Sequence, residues 1–166
     1  MGEVQAAAGL SSGSGALYKH FSSKEELLAE GIDRELVHLE AVRMARRLVP
    51  DLGDFRTELE ILGRFILLEL GAEADLLRIL LKDGDRFPKV MADARRRLID
   101  PAYQEFAGWL RRHMCIDDVD SLAAVALGAI VQYRAIEALM GAPPAGQDEE
   151  SFLQAWVTLV ADGVQR

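Results

Sequence analysis

Ala16-Leu-Tyr-Lys-His-Phe-Ser-Ser-Lys-Glu-Glu-Leu-Leu28 is the stretch that decides how this chain is read. A short helix carrying Tyr18, Lys19 and His20 runs through Phe21 to a break, and Ser23 opens a second, longer helix with Glu26 three residues on. That Ser-x-x-Glu spacing is a capping box, in which each side chain takes up an orphan backbone N–H of the other residue. Lys24 falls in the first turn, where the helix dipole disfavours a cation. An anion such as a phosphate at that helix end would account for it. Upstream, Val4-Gln-Ala-Ala-Ala-Gly9-Leu-Ser11 supplies a partner helix: Ala6 to Ala8 favour helix, Gly9 suits the left-handed residue that ends one, and Ser11 can cap the next. Helix, glycine turn and second helix are the order of a helix-turn-helix, whose second helix enters the DNA major groove.

The order Ala-Ala-Gly-Leu-Ser followed by Leu17-Tyr-Lys-His-Phe-Ser-Ser-Lys-Glu25 closely resembles the DNA-binding segment of TetR-family transcriptional regulators, over residues 3–40. The resemblance implies that Tyr18 and Lys24 meet the DNA backbone, with Lys19 and His20 beside them, and that Ser12, Ser14, Gly15 and Ala16 lie nearest the base edges. Leu17 and Phe21 read as core. The sequence departs from the family pattern in two places. Gly9 and Tyr18 stand further apart than in the family, the extra length falling in Ser11-Ser-Gly-Ser-Gly15, so a longer turn is expected and the base-reading register shifts. The family's preceding helix is also missing before Met1-Gly2-Glu3, so residues 1–166 alone are expected to bind DNA poorly.

The chain has 166 residues, half of them hydrophobic, and a formal charge of −8. Residues 1–48 hold six Lys/Arg against seven Asp/Glu, whereas residues 49–166 hold thirteen against twenty, so the acidity belongs to the C-terminal part. DNA affinity depends on local phosphate contacts more than on total charge, so this balance neither supports nor excludes a DNA partner. Cys115 is the single cysteine, which excludes an intrachain disulfide and fits a reducing cytoplasm. There is no signal-peptide pattern. The apolar run Leu122–Gln132 is too short to span a bilayer and is followed by Arg134 and Glu137, so no membrane partner is expected.

Helical periodicity runs through the whole chain, and no alternating strand pattern is found. The expected helices run from Ser23 to Leu48, Asp54 to Gly71, Asp75 to Asp83, Pro88 to Met114, Ser121 to Met140 and Glu149 to Val164. Pro101 either kinks the fourth or starts a fresh segment capped by Asp100. The fold class is therefore all-α: a helix-turn-helix segment at 1–45, incomplete at its N-terminus, joined through a shared long helix to a larger bundle at 46–166. The TetR resemblance implies that this bundle binds a small-molecule inducer and forms a homodimer, and that the dimer binds a palindromic double-stranded DNA operator. Its pairing helices would be Ser121–Met140 and Glu149–Val164, presenting Leu122, Val125, Ala126, Ala129, Ile130, Tyr133, Phe152, Trp156, Leu159 and Val160. The other reading of that face is an ordinary buried bundle helix.

Phe65, Met91, Tyr103, Phe106, Trp109 and Tyr133 fall on the helices that line the inducer cavity in such proteins, and an aromatic, Met-containing lining suits a largely apolar molecule. Each taken singly also reads as plain core. Glu35-Leu-Val-His38 has the Glu-x-x-His spacing of di-iron bundles, but the second copy such a site needs is lacking. His113, Cys115, Asp117 and Asp118 gather at a helix end, where capping explains them better than a metal does. No cofactor motif, metal-site motif or nucleophile–base pair is found, and nothing supports catalysis. The competing function is an all-α small-molecule-binding or interaction protein without DNA-binding activity.

Overall fold

In the computed structural model, residues 23–46 and 52–162 are described. Every regular element among them is helical: α1 (Lys24–Arg46), α2 (Phe55–Ala72), α3 (Ala74–Asp83), α4 (Pro88–Ala94), α5 (Asp100–His113), α6 (Val119–Met140) and α7 (Glu149–Asp162). Helix starts follow the acidic and hydroxyl residues of the sequence. The Ser23 hydroxyl accepts the Glu26 N–H at 3.1 Å, one half of the expected capping box. Asp54 accepts the Thr57 N–H at 3.1 Å, Asp118 that of Ser121 at 3.0 Å and Asp148 that of Ser151 at 2.8 Å. Gly141 ends α6 with φ at +77°, a left-handed conformation that favours glycine.

Between α4 and α5 the chain does not break. Residues Arg95–Ile99 wind into a wider π-type turn, and α5 begins at Asp100 with Pro101 in its first turn. Proline has no N–H to give the preceding turn, so the wider winding absorbs the missing bond.

Helix α6 is the central element, packed by α2, α3, α5 and α7. Ala123, Ala126, Leu127, Ile130 and Tyr133 on α6 meet Leu59, Leu62 and Leu67 of α2, Phe106 and Leu110 of α5, and Leu153, Trp156 and Val157 of α7 in one core. It is also the one described helix long and apolar enough to cross a bilayer by length and composition. The uninterrupted apolar run in the sequence is shorter than the helix, which continues past Arg134 and Glu137 to Met140. Helix α7 comes so close to α2 that a methyl group on Gly63 would sit 2.6 Å from Leu153 Cδ1 and 2.9 Å from the Trp156 ring.

A second, smaller cluster joins α1 to the bundle: Leu28 and Ile32 pack with Val90 and Ala94 of α4, bordered by Leu36, Leu76, Ile79, Leu80 and Phe87. The long helix thus docks on α3 and α4 through an apolar stripe at steps of four residues.

Candidate functional site

Ser12, Ser14, Gly15, Ala16, Tyr18, Lys19 and His20, the expected DNA-contacting residues upstream of the break, lie outside the described residues. Lys24 is the first residue of α1. What the structure describes of this region is the capped start of α1 and the way the remainder of that helix meets the bundle.

The aromatic residues expected to line a ligand cavity divide between different surroundings. Phe106 and Trp109 stack on one another, with ring centroids 5.9 Å apart. Trp109 stacks in turn on Phe55 at 5.3 Å, and Phe106 on Trp156 at 6.3 Å. This ladder crosses the core from α2 through α5 to α7, with Tyr103 half-buried at its edge. Tyr133 is buried, stacks on Phe152 at 4.3 Å and donates its hydroxyl to the Gln147 carbonyl at 3.0 Å, closing the α6–α7 loop. Met91 lies elsewhere, with its sulfur 3.0 Å from the place a Gly84 side chain would begin. Phe65 is half-buried and belongs to neither cluster. Phe106, Trp109 and Tyr133 are thus brought into one core, whereas Met91 and Phe65 are not part of it.

The expected pairing face divides by burial. Ala126, Ile130, Tyr133, Trp156 and Val160 point into the chain's own core. Val125 is 70% exposed and Leu159 74%, Ala129 is exposed, and Leu122 and Phe152 are half-buried. Ala124, Gln132 and Met140 of α6 and Ala155 of α7 are also exposed. On α6 the exposed side chains are thus largely apolar or small, whereas on α7 Ala155 and Leu159 stand among the exposed polar Gln154 and Thr158.

Charge collects where α1 meets the end of α2. His38 Nε2 lies 2.7 Å from Glu69 Oε2, and Arg34 Nη2 3.9 Å from Glu73 Oε2. Glu35, next to Arg34 and one turn from His38, is only 8% exposed and feels the charges of Glu73 and Glu69. Burial pushes its carboxyl above the usual glutamate range, and the Glu73 charge adds to that; the hydrogen bond to Glu69 raises the His38 imidazole above its ordinary value. In sequence, Glu35 and His38 stand out only as a metal-ligand spacing. Nothing there points to Glu69 and Glu73, 31 and more residues further along the chain. A carboxylate on the apolar stripe of α1, one turn after Ile32, is the available signal.

Arg134 reads in the sequence only as an interruption of an apolar helix. It donates to the Leu67 carbonyl at 2.9 Å, to Glu137 at 2.6 Å and to Glu149 at 2.5 Å, tying α6 to α2 and to the start of α7. At the opposite end, His113 lies 3.3 Å from Glu58, whose other oxygen accepts the N–H groups of Leu52 and Gly53. Cys115 is exposed, and Asp118 serves as the α6 cap. Among the described residues no three His, Cys, Asp or Glu side chains are placed to hold one metal ion.

No protein-family model, no curated protein and no solved structure matches this chain significantly.

Proposed function

We propose that the protein is a ligand-responsive transcriptional regulator of the TetR type, acting as a repressor in the cytoplasm. It binds a palindromic operator as a homodimer and is released by a small, largely apolar inducer. The observation that carries this reading is the sequence Leu17-Tyr-Lys-His-Phe-Ser-Ser-Lys-Glu25, which runs into the start of α1. The capped start at Ser23, the length of α1 and its docking on α3 and α4 support it, because a long helix shared by both parts can carry a displacement from the bundle to the recognition segment. The exposed Val125, Ala129 and Leu159 supply an apolar layer for a second copy, and two-fold pairing is the commonest form of assembly. A two-fold dimer would also set two recognition helices at half-sites about one DNA turn, or a multiple of it, apart.

In this mechanism the ligand and the operator oppose each other. The ligand favours an arrangement in which α1 holds the recognition helices too far apart, and the coupling free energy is shared by both binding steps. Titrating a bound ligand against operator affinity tests it: the affinities should fall reciprocally. An operator affinity unchanged by saturating ligand would rule the mechanism out.

A further inference from the structure

We propose that the docking of α1 on the bundle is proton-coupled: Glu35 and His38, held against Glu69 and Glu73, make this contact tighter in mild acid than at neutral or alkaline pH. The inference concerns the α1–α2 junction and stands whether or not the protein binds DNA.

Arg34 and His38 are one turn apart on α1, and their partners Glu73 and Glu69 are one turn apart at the end of α2. Glu35, on the same face and 8% exposed, lies within reach of the charges of Glu73 and Glu69, and among the described residues its carboxyl makes no hydrogen bond or ion pair. Its own helix contributes Arg34, which is mostly exposed and directed to Glu73, and His38, which is directed to Glu69. The end of α2 and the turn after it contribute two further carboxylates and no cation. From α4 and the π-type turn, Asp93 and Arg97 pair with each other, and Arg97 reaches Asp33 at 2.7 Å. From α3, Arg78 pairs with Asp75 and donates to the Ala138 carbonyl. Among the described residues, then, no cation is committed to Glu35.

A buried carboxylate facing two others is relieved by taking up a proton. His38 works in the same sense, because its imidazolium offsets the charge of Glu69 beside Glu35. Both groups have folded values raised above their ordinary ones, near 4.5 for the glutamate and 6.5 for the histidine. Their favourable contribution is complete below those ordinary values and is lost as pH rises through the raised ones. The capping carboxyls Asp54, Asp118 and Asp148 are shifted downward and titrate at more acid pH, so they leave this window clear.

The test is amide hydrogen exchange of the full chain at about pH 5.5 and about pH 7.5, corrected for intrinsic rates. Alongside it, the side-chain carboxyl resonances of the glutamates are followed through a pH titration. A group that binds its proton more tightly when α1 is docked shifts the docking equilibrium as it titrates. Protection around Ile32 to Leu36 should therefore be partly lost from about pH 5.5 to about pH 7.5, while the core at Leu110 and Leu153 keeps its own. The E35Q/H38Q double variant, which has neither proton to exchange, should show the same α1 protection at both pH values. A double variant with the wild-type pH dependence, or a wild type with none, would overturn the proposal. If the variant loses protection throughout the bundle, the carboxyl titration decides: Glu35 must titrate above the exposed glutamates, and titration among them refutes the idea.

Discussion

The indole N–H of Trp156 on α7 donates a 2.8 Å hydrogen bond to the Ala126 carbonyl on α6, deep in the core. The same ring stacks on Phe106, so one residue ties α7 to both α5 and α6. Replacing it with phenylalanine keeps a stacking ring but removes the donor and part of the buried area. Trp156→Phe should cost about 1–3 kcal/mol in urea unfolding, with the helical content of the folded state unchanged.

Gly63 and Gly108 should respond to alanine in opposite ways. At Gly63 the added methyl meets Leu153 and Trp156, both buried without room to retreat, and overpacking of this kind costs about 1–3 kcal/mol. At Gly108 nothing lies within 4 Å, so the gain in helix propensity stands alone. Thermal melts of the two variants should therefore move in opposite directions, Gly63→Ala down and Gly108→Ala up.

The helix caps give a separate acid limb. Hydrogen bonds from Thr57 hold the Asp54 carboxyl below its usual range, and Ser121 and Ser151 do the same for Asp118 and Asp148. Each contributes stability that is complete above the ordinary aspartate value near 3.8 and is lost as pH falls through the lowered one. An Asp54→Asn/Asp118→Asn/Asp148→Asn triple variant keeps capping oxygens but has no proton to gain. Its stability should fall less steeply than that of the wild type between about pH 4 and about pH 2.

The outer surface of α6 and α7 is tested by charge. Val125→Glu and Leu159→Glu place carboxylates on side chains that are exposed in the single chain, so folding should be unaffected in circular dichroism. Sedimentation velocity should show a wild-type dimer and a monomeric double variant. A wild type that sediments as a monomer at about 100 μM would remove the pairing surface from the account.

The helices are legible in the sequence because their signals are local. Caps at Ser23, Asp54 and Asp118, Gly141 after Met140, and apolar residues at three- and four-residue steps are all read within one or two turns. Burial in the last two helices is harder to divide. Val125 and Ala126 are neighbours in an almost wholly apolar helix, and only the position of α7 decides that one faces out and the other in. The charged junction is harder still, since it joins Arg34, Glu35 and His38 to residues contributed by another helix. Periodicity marks Glu35 as lying on the inward stripe of α1 but does not say which charges it will meet there. Likewise, the three donors of Arg134 reach α2, α6 and α7, a set that no sequence spacing encodes.

The segment that leads into α1 carries the proposed DNA-binding function. Fluorescence anisotropy of the native gene product with the DNA flanking its own gene, across a series of salt concentrations, tests it directly. The account predicts binding at least about a thousandfold tighter than to random DNA of equal length, weakening steeply as salt rises. That binding should be lost in Tyr18→Ala and Lys24→Ala variants that still dimerise. Equal affinity for flanking and random DNA, or full binding retained by both variants, would contradict it.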